Sequence, residues 1–432
     1  MEKRWINRSL SALLAALMAA GCSTGTSDPS KTSSASSANP ASEADSKTAS
    51  VSAAPKPASP VDEAQKEGYQ TFSWDLFKKS IGEKETGQIS PLSAFYALGM
   101  LAGGAKEKTL EQLENALHLK DEDINSLAYA LLAGTADKKE LALANSLWLT
   151  DGMKDAVLPD YTDLLKKDYE AEVFVQPFDD KAVADMNAWV EKKTDGMIKK
   201  MVSSLDSSVV MVLINALAFS AEWQTPYKEE AIAAAPFANA DGSKTDVDLM
   251  HSDEDLYIEA EGLKGFVKPY KDERYALAAL LPADEKQTLD EVLAKADGSA
   301  LLKAIAAPQS ESVSTALPKF ELSSEIPLNK ILQEMGITDA FEGSADFSGM
   351  AKGGGLAVSE VLQKNKIQVD DKGTKAAAAT DAMIMETAML EEDEKKSVIC
   401  DRPFLYVLFD LNNGLPLMIG TYQNASDQTS ES

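Results

Sequence analysis

The stretch DKGTKAAAATDAMIMETA, Asp371 to Ala388, says most about the fold. Read with a period of two, one side carries Thr374, Ala376, Ala378, Thr380, Ala382 and Ile384. The other carries Lys375, Ala377, Ala379, Asp381, Met383 and Met385. Both charges between 374 and 385 fall on one side, and the other is small or apolar throughout. That is the alternation of a strand with one side against a core. Yet alanine is depleted in strands, and Lys and Asp favour water. The segment therefore suits two states, an exposed loop and an inserted strand. It follows a strand-like run, Ser359 to Asp370, and leads into Glu391, Glu392, Asp393 and Glu394. Taken alone, the alanines also fit a helix or a plain linker, since Ala is the best helix former. The rest of the chain decides.

Working outward, Tyr69, Phe72, Leu76, Phe77 and Ile81 recur at helical spacing. Pro91 to Gly103 is apolar nearly all round, as in a buried helix. Leu110, Leu113 and Leu117 mark a third helix, and Tyr161 to Lys167 and Asp185 to Lys200 two more. Glu140 to Thr150 and Val209 to Phe219 read as strands; the second is almost continuously apolar, as a central strand covered on both faces would be. Lys268 to Leu281 holds two strand-like runs about the turn Lys271–Arg274. Pro327 to Met335 is a helix stopped by Gly336, and Phe404 to Asp410 pairs with Leu417 to Tyr422 about Asn412-Asn413-Gly414. No internal repeat and no second linker interrupt the span, so one large α+β domain is expected over 61–423, followed by a polar tail, 424–432.

Ordered motifs along this span resemble the serpins, protease inhibitors that trap their target by inserting a cleaved loop into a central sheet. They are Ser90-Pro91-Leu92-Ser93 with Met100 to Ala105, Asn215-Ala216-Leu217-Ala218-Phe219 with Trp223, Leu317-Pro318-Lys319-Phe320, Met335 to Phe341 with Ala345 to Met350, Asp401-Arg402-Pro403-Phe404-Leu405, and Met418-Ile419-Gly420. Within the opening stretch, Gly373, Thr374, Ala376, Ala377, Ala378, Ala379 and Thr380 are similar to the family's hinge. The resemblance implies the serpin fold, with three β-sheets, about eight or nine helices and an exposed reactive loop, here about 371–395. Trp223, Ser90, Ser93, Asn215 and Gln363 would form the region where the sheet opens to take the loop. Gln363 stands where the family usually has a His and Thr86 where it usually has an Asn. A glutamine amide can both donate and accept.

The activity so implied is serine-type endopeptidase inhibition by suicide-substrate trapping. The target's serine attacks the loop, an acyl complex forms, and the cut loop enters the sheet. The inhibitor itself supplies no catalytic group, cofactor or metal. Counting fourteen residues from Gly373 places the reactive bond at Thr387-Ala388, with Met385 and Met389 as nearby alternatives. No Lys or Arg occurs from 376 to 394, which points away from trypsin-like enzymes, whose pocket carboxylate takes a cation. Elastase-, chymotrypsin- and subtilisin-like proteases are the expected targets. The competing readings are a non-inhibitory relative and a surface lipoprotein that binds a small ligand or partner.

Lys3, Arg4 and Arg8 precede the short apolar stretch Ser9–Ala20, which ends Ala19-Ala20-Gly21-Cys22. It is too short to span a bilayer and reads as a signal peptide over 1–21. Its end resembles the lipobox of bacterial lipoproteins, with Ala19 where Leu is usual, so Cys22 would be lipidated. Residues 22–60 are mostly Ser, Ala, Thr and Pro and cannot offset the entropy of ordering; as a tether they would reach on the order of 30–40 Å. The expected protein is an exported, membrane-anchored lipoprotein, otherwise secreted, and a monomer. Cys22 and Cys400 are the only cysteines; a lipidated Cys22 leaves Cys400 unpaired and the core to hold the fold alone. Acidic residues outnumber basic ones 69 to 42, a net charge of -27, which argues against nucleic acid as a partner and against electrostatic docking on anionic lipid. His118 lies near a helix end, and His251 in the polar run His251–Asp255 reads as part of a solvated turn; neither sits in a nucleophile motif.

Overall fold

A computed structural model describes residues 60–133, 140–206, 208–353, 355–374 and 395–427. Helix α1 (Glu63–Ser80) starts at a capping box in which Asp62 accepts from the Gln65 backbone and the Gln65 side chain returns the bond, at 2.8 and 3.2 Å. Strand β1 (Gly87–Ile89) leads into α2 (Pro91–Ala102), which begins with Pro at its first turn and Ser90 as N-cap. Helices α3 (Glu107–Leu117) and α4 (Asp121–Ala133) follow. Next come β2 (Leu141–Leu149), α5 (Pro159–Asp168), β3 (Glu172–Val175), α6 (Asp180–Lys193), β4 (Met211–Phe219) and β5 (Ala221–Glu222). Then run β6 (Ile232–Ala238), β7 (Lys244–Ala260), β8 (Leu263–Pro269), β9 (Tyr275–Pro282), α7 (Leu289–Leu293), α8 (Gly298–Ala306), β10 (Gln309–Pro318), β11 (Phe320–Pro327) and α9 (Asn329–Glu334). The chain ends with β12 (Leu362–Val369), β13 (Gly373–Thr374), β14 (Lys396–Ile399), β15 (Phe404–Asp410) and β16 (Leu415–Tyr422).

Two of the sequence expectations change. The helix expected over 185–200 runs Asp180–Lys193, because Asp179 caps it by accepting from the Ala182 backbone and Asp195 and Gly196 at positive φ turn the chain away. The run His251–Asp255 is not a turn but the middle of β7, paired to β10. Its alternation leaves His251, Asp253 and Asp255 in water and buries Glu254.

A nine-stranded sheet in the order β1-β16-β15-β9-β8-β7-β10-β14, with β6 on β7, carries most of the core. Strands β9, β15 and β16 are buried along their whole length. Phe320, Phe404, Tyr406 and Tyr422 form an aromatic cluster there, with centroid spacings of 5.2 to 6.5 Å.

The central sheet comes in two halves. On one side β2 pairs with β4 along nine residues, and with the parallel β3. On the other β11 pairs with β12 along eight. Among the described residues the halves are joined only by β13, which bonds β12 at Val369↔Thr374 and β5 at Gly373↔Glu222 and Thr374↔Ala221. Helix α2 crosses behind the seam.

Candidate functional site: the hinge and the seam of the central sheet

Asp370 closes β12 and reverses the chain. Its Oδ1 accepts from the backbone N–H of Lys372 and Gly373, at 2.8 and 3.0 Å, an Asx-type turn. The segment after β5 grips this turn from the other side. The Trp223 backbone donates to the Lys372 carbonyl at 2.8 Å and the Tyr227 backbone to that of Asp371 at 2.9 Å. The Trp223 indole donates to the Asp370 carbonyl at 2.9 Å, and Lys319 pairs with Asp371 at 2.6 Å.

Gly373 and Thr374 then run between β12 and β5. A Cβ at Gly373 would sit 2.1 Å from the Ala221 carbonyl oxygen, so only glycine lets the backbones approach. Thr374 is 0% exposed. Its Oγ1 lies 2.6 Å from the Tyr270 hydroxyl, and Tyr270 stacks on Trp223 at 4.4 Å and 11°. The first two residues of the expected hinge are thus already strand, not loop. Gly373→Ala should expel them: the Trp223 and Tyr227 amides, which depend on the turn, exchange with solvent about ten-fold faster or more, as hydrogen-exchange mass spectrometry or NMR can measure.

Below β13 the seam is held through the N-terminus of α2. Gln363 on β12 accepts from the Ser90 N–H and donates to the Ser90 carbonyl, both at 2.8 Å. Across the seam the Ser93 hydroxyl donates to Asn215 Oδ1 on β4. Asn215 donates to Asn145 on β2 at 2.6 Å, and Asn145 to the Tyr169 carbonyl at 2.7 Å. All four residues at the seam are buried. Below β13, these side-chain bonds tie each half of the sheet to α2. Thr86 is not part of this arrangement; its hydroxyl accepts from the Gln423 and Asn424 backbones at 3.0 and 2.8 Å, fastening the chain after β16. Gln363→Leu should cost roughly 2–4 kcal/mol, because it strands the buried Ser90 N–H as well as removing three bonds, two to Ser90 and one accepted from the Asn365 amide; a lower denaturant midpoint than the parent is the readout.

The seam opens into a cavity of about 730 Å³, lined by Met211 to Asn215 of β4, Val361 to Gln363 at the start of β12, and residues of α2. Two strand edges facing a space across which no ladder runs can accept an extended segment by strand addition.

Residues 67–425 match the serpin (serine protease inhibitor) family. The chain belongs to the serpin family. It is 31% identical to an uncharacterised serpin-like protein of Thermococcus kodakarensis, over 83% of this chain and 85% of that one. It is also 31% identical to the leukocyte elastase inhibitor of Xenopus laevis, over 82% of this chain and 97% of that one. Among solved structures it is similar to the thermophilic serpin tengpin in its native state, at 38% identity and a TM-score of 0.78, covering 87% of this chain and 97% of that one. Tengpin in its latent state gives 36% and 0.74, covering 85% and 99%.

The structure brings Gly373, Thr374 and Trp223 together at one end of the serpin's seam and Ser90, Ser93, Asn215 and Gln363 along it. Ala376, Ala377, Ala378, Ala379, Thr380, Met385, Thr387, Ala388, Met389 and Cys22 lie outside the described residues. Sequence reasoning missed Tyr270, Asn145 and the pair Lys319–Asp371. The run Lys268-Pro269-Tyr270 at the end of a strand carried the first of these, but nothing in it says that a buried hydroxyl meets a residue 104 positions on.

Proposed function

We propose that the protein inhibits an extracellular or periplasmic serine protease by loop insertion. The protease's serine attacks the carbonyl of the reactive bond, taken as Thr387-Ala388, and an ester links the two proteins while the new amine end is released. The loop then extends β13 down the seam before water cleaves the ester. One observation carries this reading: Gly373-Thr374 already pair as a strand between β12 and β5, at the head of an unladdered seam. The chain supplies no catalytic group to the reaction; the nucleophile is the target's. The absence of Lys and Arg from 376 to 394 favours elastase-, chymotrypsin- or subtilisin-like targets, and a relative bears the name leukocyte elastase inhibitor. Export and lipidation at Cys22 would place the domain outside the cytoplasm on a tether.

The test is incubation with a panel of serine proteases. A complex that survives boiling in SDS, formed with an elastase, chymotrypsin or subtilisin and not with trypsin, is expected. Cleavage without complex by every protease would replace this reading with a non-inhibitory one. Mass spectrometry of the released fragment reads the bond, and a cut outside 385–389 refutes the assignment.

A further inference from the structure

Behind the hinge lies a buried charge that the seam does not use. Lys268 on β8 is 1% exposed. Its ammonium donates to Glu254 on β7 at 2.5 Å, and Glu254 also accepts from Ser252 at 2.6 Å. The same ammonium lies 4.3 Å from the centroid of the Tyr227 ring and 5.6 Å from that of Trp223, both within cation–π range and desolvated, where such contacts are strongest. The two rings meet edge to face at 6.3 Å and 88°. Tyr227 and Trp223 are the residues whose backbones bond Asp371 and Lys372, and Trp223 stacks on the tyrosine that holds Thr374.

We infer that Lys268 is a positioning residue for the hinge: its ammonium, fixed by Glu254, clamps Tyr227 and Trp223 in the orientation that keeps Gly373-Thr374 in the sheet. A buried ammonium on a strand would otherwise be a liability, since leaving a charge without partners is costly. Here one carboxylate and two ring faces take it up. Burial holds the lysine below its ordinary pKa, and hydrophobic isosteres often replace such pairs without loss of fold. An apolar side chain could therefore fill the site but would leave the rings free to turn. The effect on inhibition rests on the function proposed above; the effect on the hinge does not.

The test uses the full chain and reads the hinge before any protease is added. In K268M/E254Q, which removes both charges, the Trp223 and Tyr227 amides should exchange about ten-fold faster, while amides of β15 and β16 keep their rates. Lys268→Arg, which preserves the cation and its ring contacts, should stay within about three-fold of the parent. Unchanged Trp223 and Tyr227 exchange in K268M/E254Q, equal acceleration in β15 and β16, or no protection in K268R would each overturn the inference. Should the double variant fail to fold, Tyr227→Leu replaces it, with the Trp223 amide as reporter and the same expectation. A protein that inhibits nothing yet shows this pattern keeps the clamp and loses the proposed function. One that traps proteases without the pattern keeps the function and loses the clamp.

Discussion

Under the proposed trapping mechanism, Thr374→Arg should turn the protein from an inhibitor into a substrate. Thr374 is fully buried between two strands with its hydroxyl on Tyr270. A guanidinium at this position would have to be buried. The substitution should expel residue 374 from the sheet in the intact protein, so that seating the charge becomes part of the insertion step and adds several kcal/mol to it; about 3 kcal/mol slows a step more than 100-fold. Insertion has only to become slower than hydrolysis of the ester for the outcome to reverse. The yield of SDS-stable complex should fall at least about ten-fold, while cleavage of the loop proceeds. A normal yield from Thr374→Arg would refute the insertion argument, because the cut loop would then trap its protease without entering at Thr374. Thr374→Ser is the control: it keeps the hydroxyl and should keep the yield.

The second large effect is on heat stability after cleavage. If residues 375 to 387 follow Thr374 into the seam, they gain ladders on β4 and β12 where the intact sheet, among the described residues, has none beyond β13. At about 1 kcal/mol net per bond, the gain is on the order of 10 kcal/mol. The midpoint of thermal unfolding should then rise by about 20 °C or more. Scanning calorimetry of the protein before and after a single cut within 385–389 measures it. An unchanged or lowered midpoint would mean that the seam does not take the loop, and the binding-module reading would gain.

The sequence made the large elements legible because their apolar patterns are strong: α1, α2, β2, β4, β12 and the β15–β16 pair fall close to where periodicity puts them. What it hid were strands whose partners, not their own residues, make them strands. The middle of β7, His251 to Asp255, is polar in all five positions and reads as a turn, yet β10 on one side fixes it as extended. The candidate site was legible in the same uneven way. Gly373 and Thr374 could be found from face alternation and resemblance. Their fit could not, because it depends on Ala221 and Tyr270, and distance along a chain carries no record of contact. Gln363 shows the converse case. Its side chain was recognisable as a departure, and the structure gives the departure a geometry, two bonds to one backbone unit.

The connectivity around β14 has one more consequence. The chain that leaves Thr374 in the central sheet re-emerges at Lys395 and enters the nine-stranded sheet through β14, β15 and β16. Strands β15 and β16 lie inside that sheet, buried from end to end. A cut between the two sheets therefore yields a nicked particle whose short C-terminal piece is the middle of the other piece's core. It should elute as a single species from a sizing column and separate into two only under denaturing conditions. A single cut there would break the chain without taking the molecule apart.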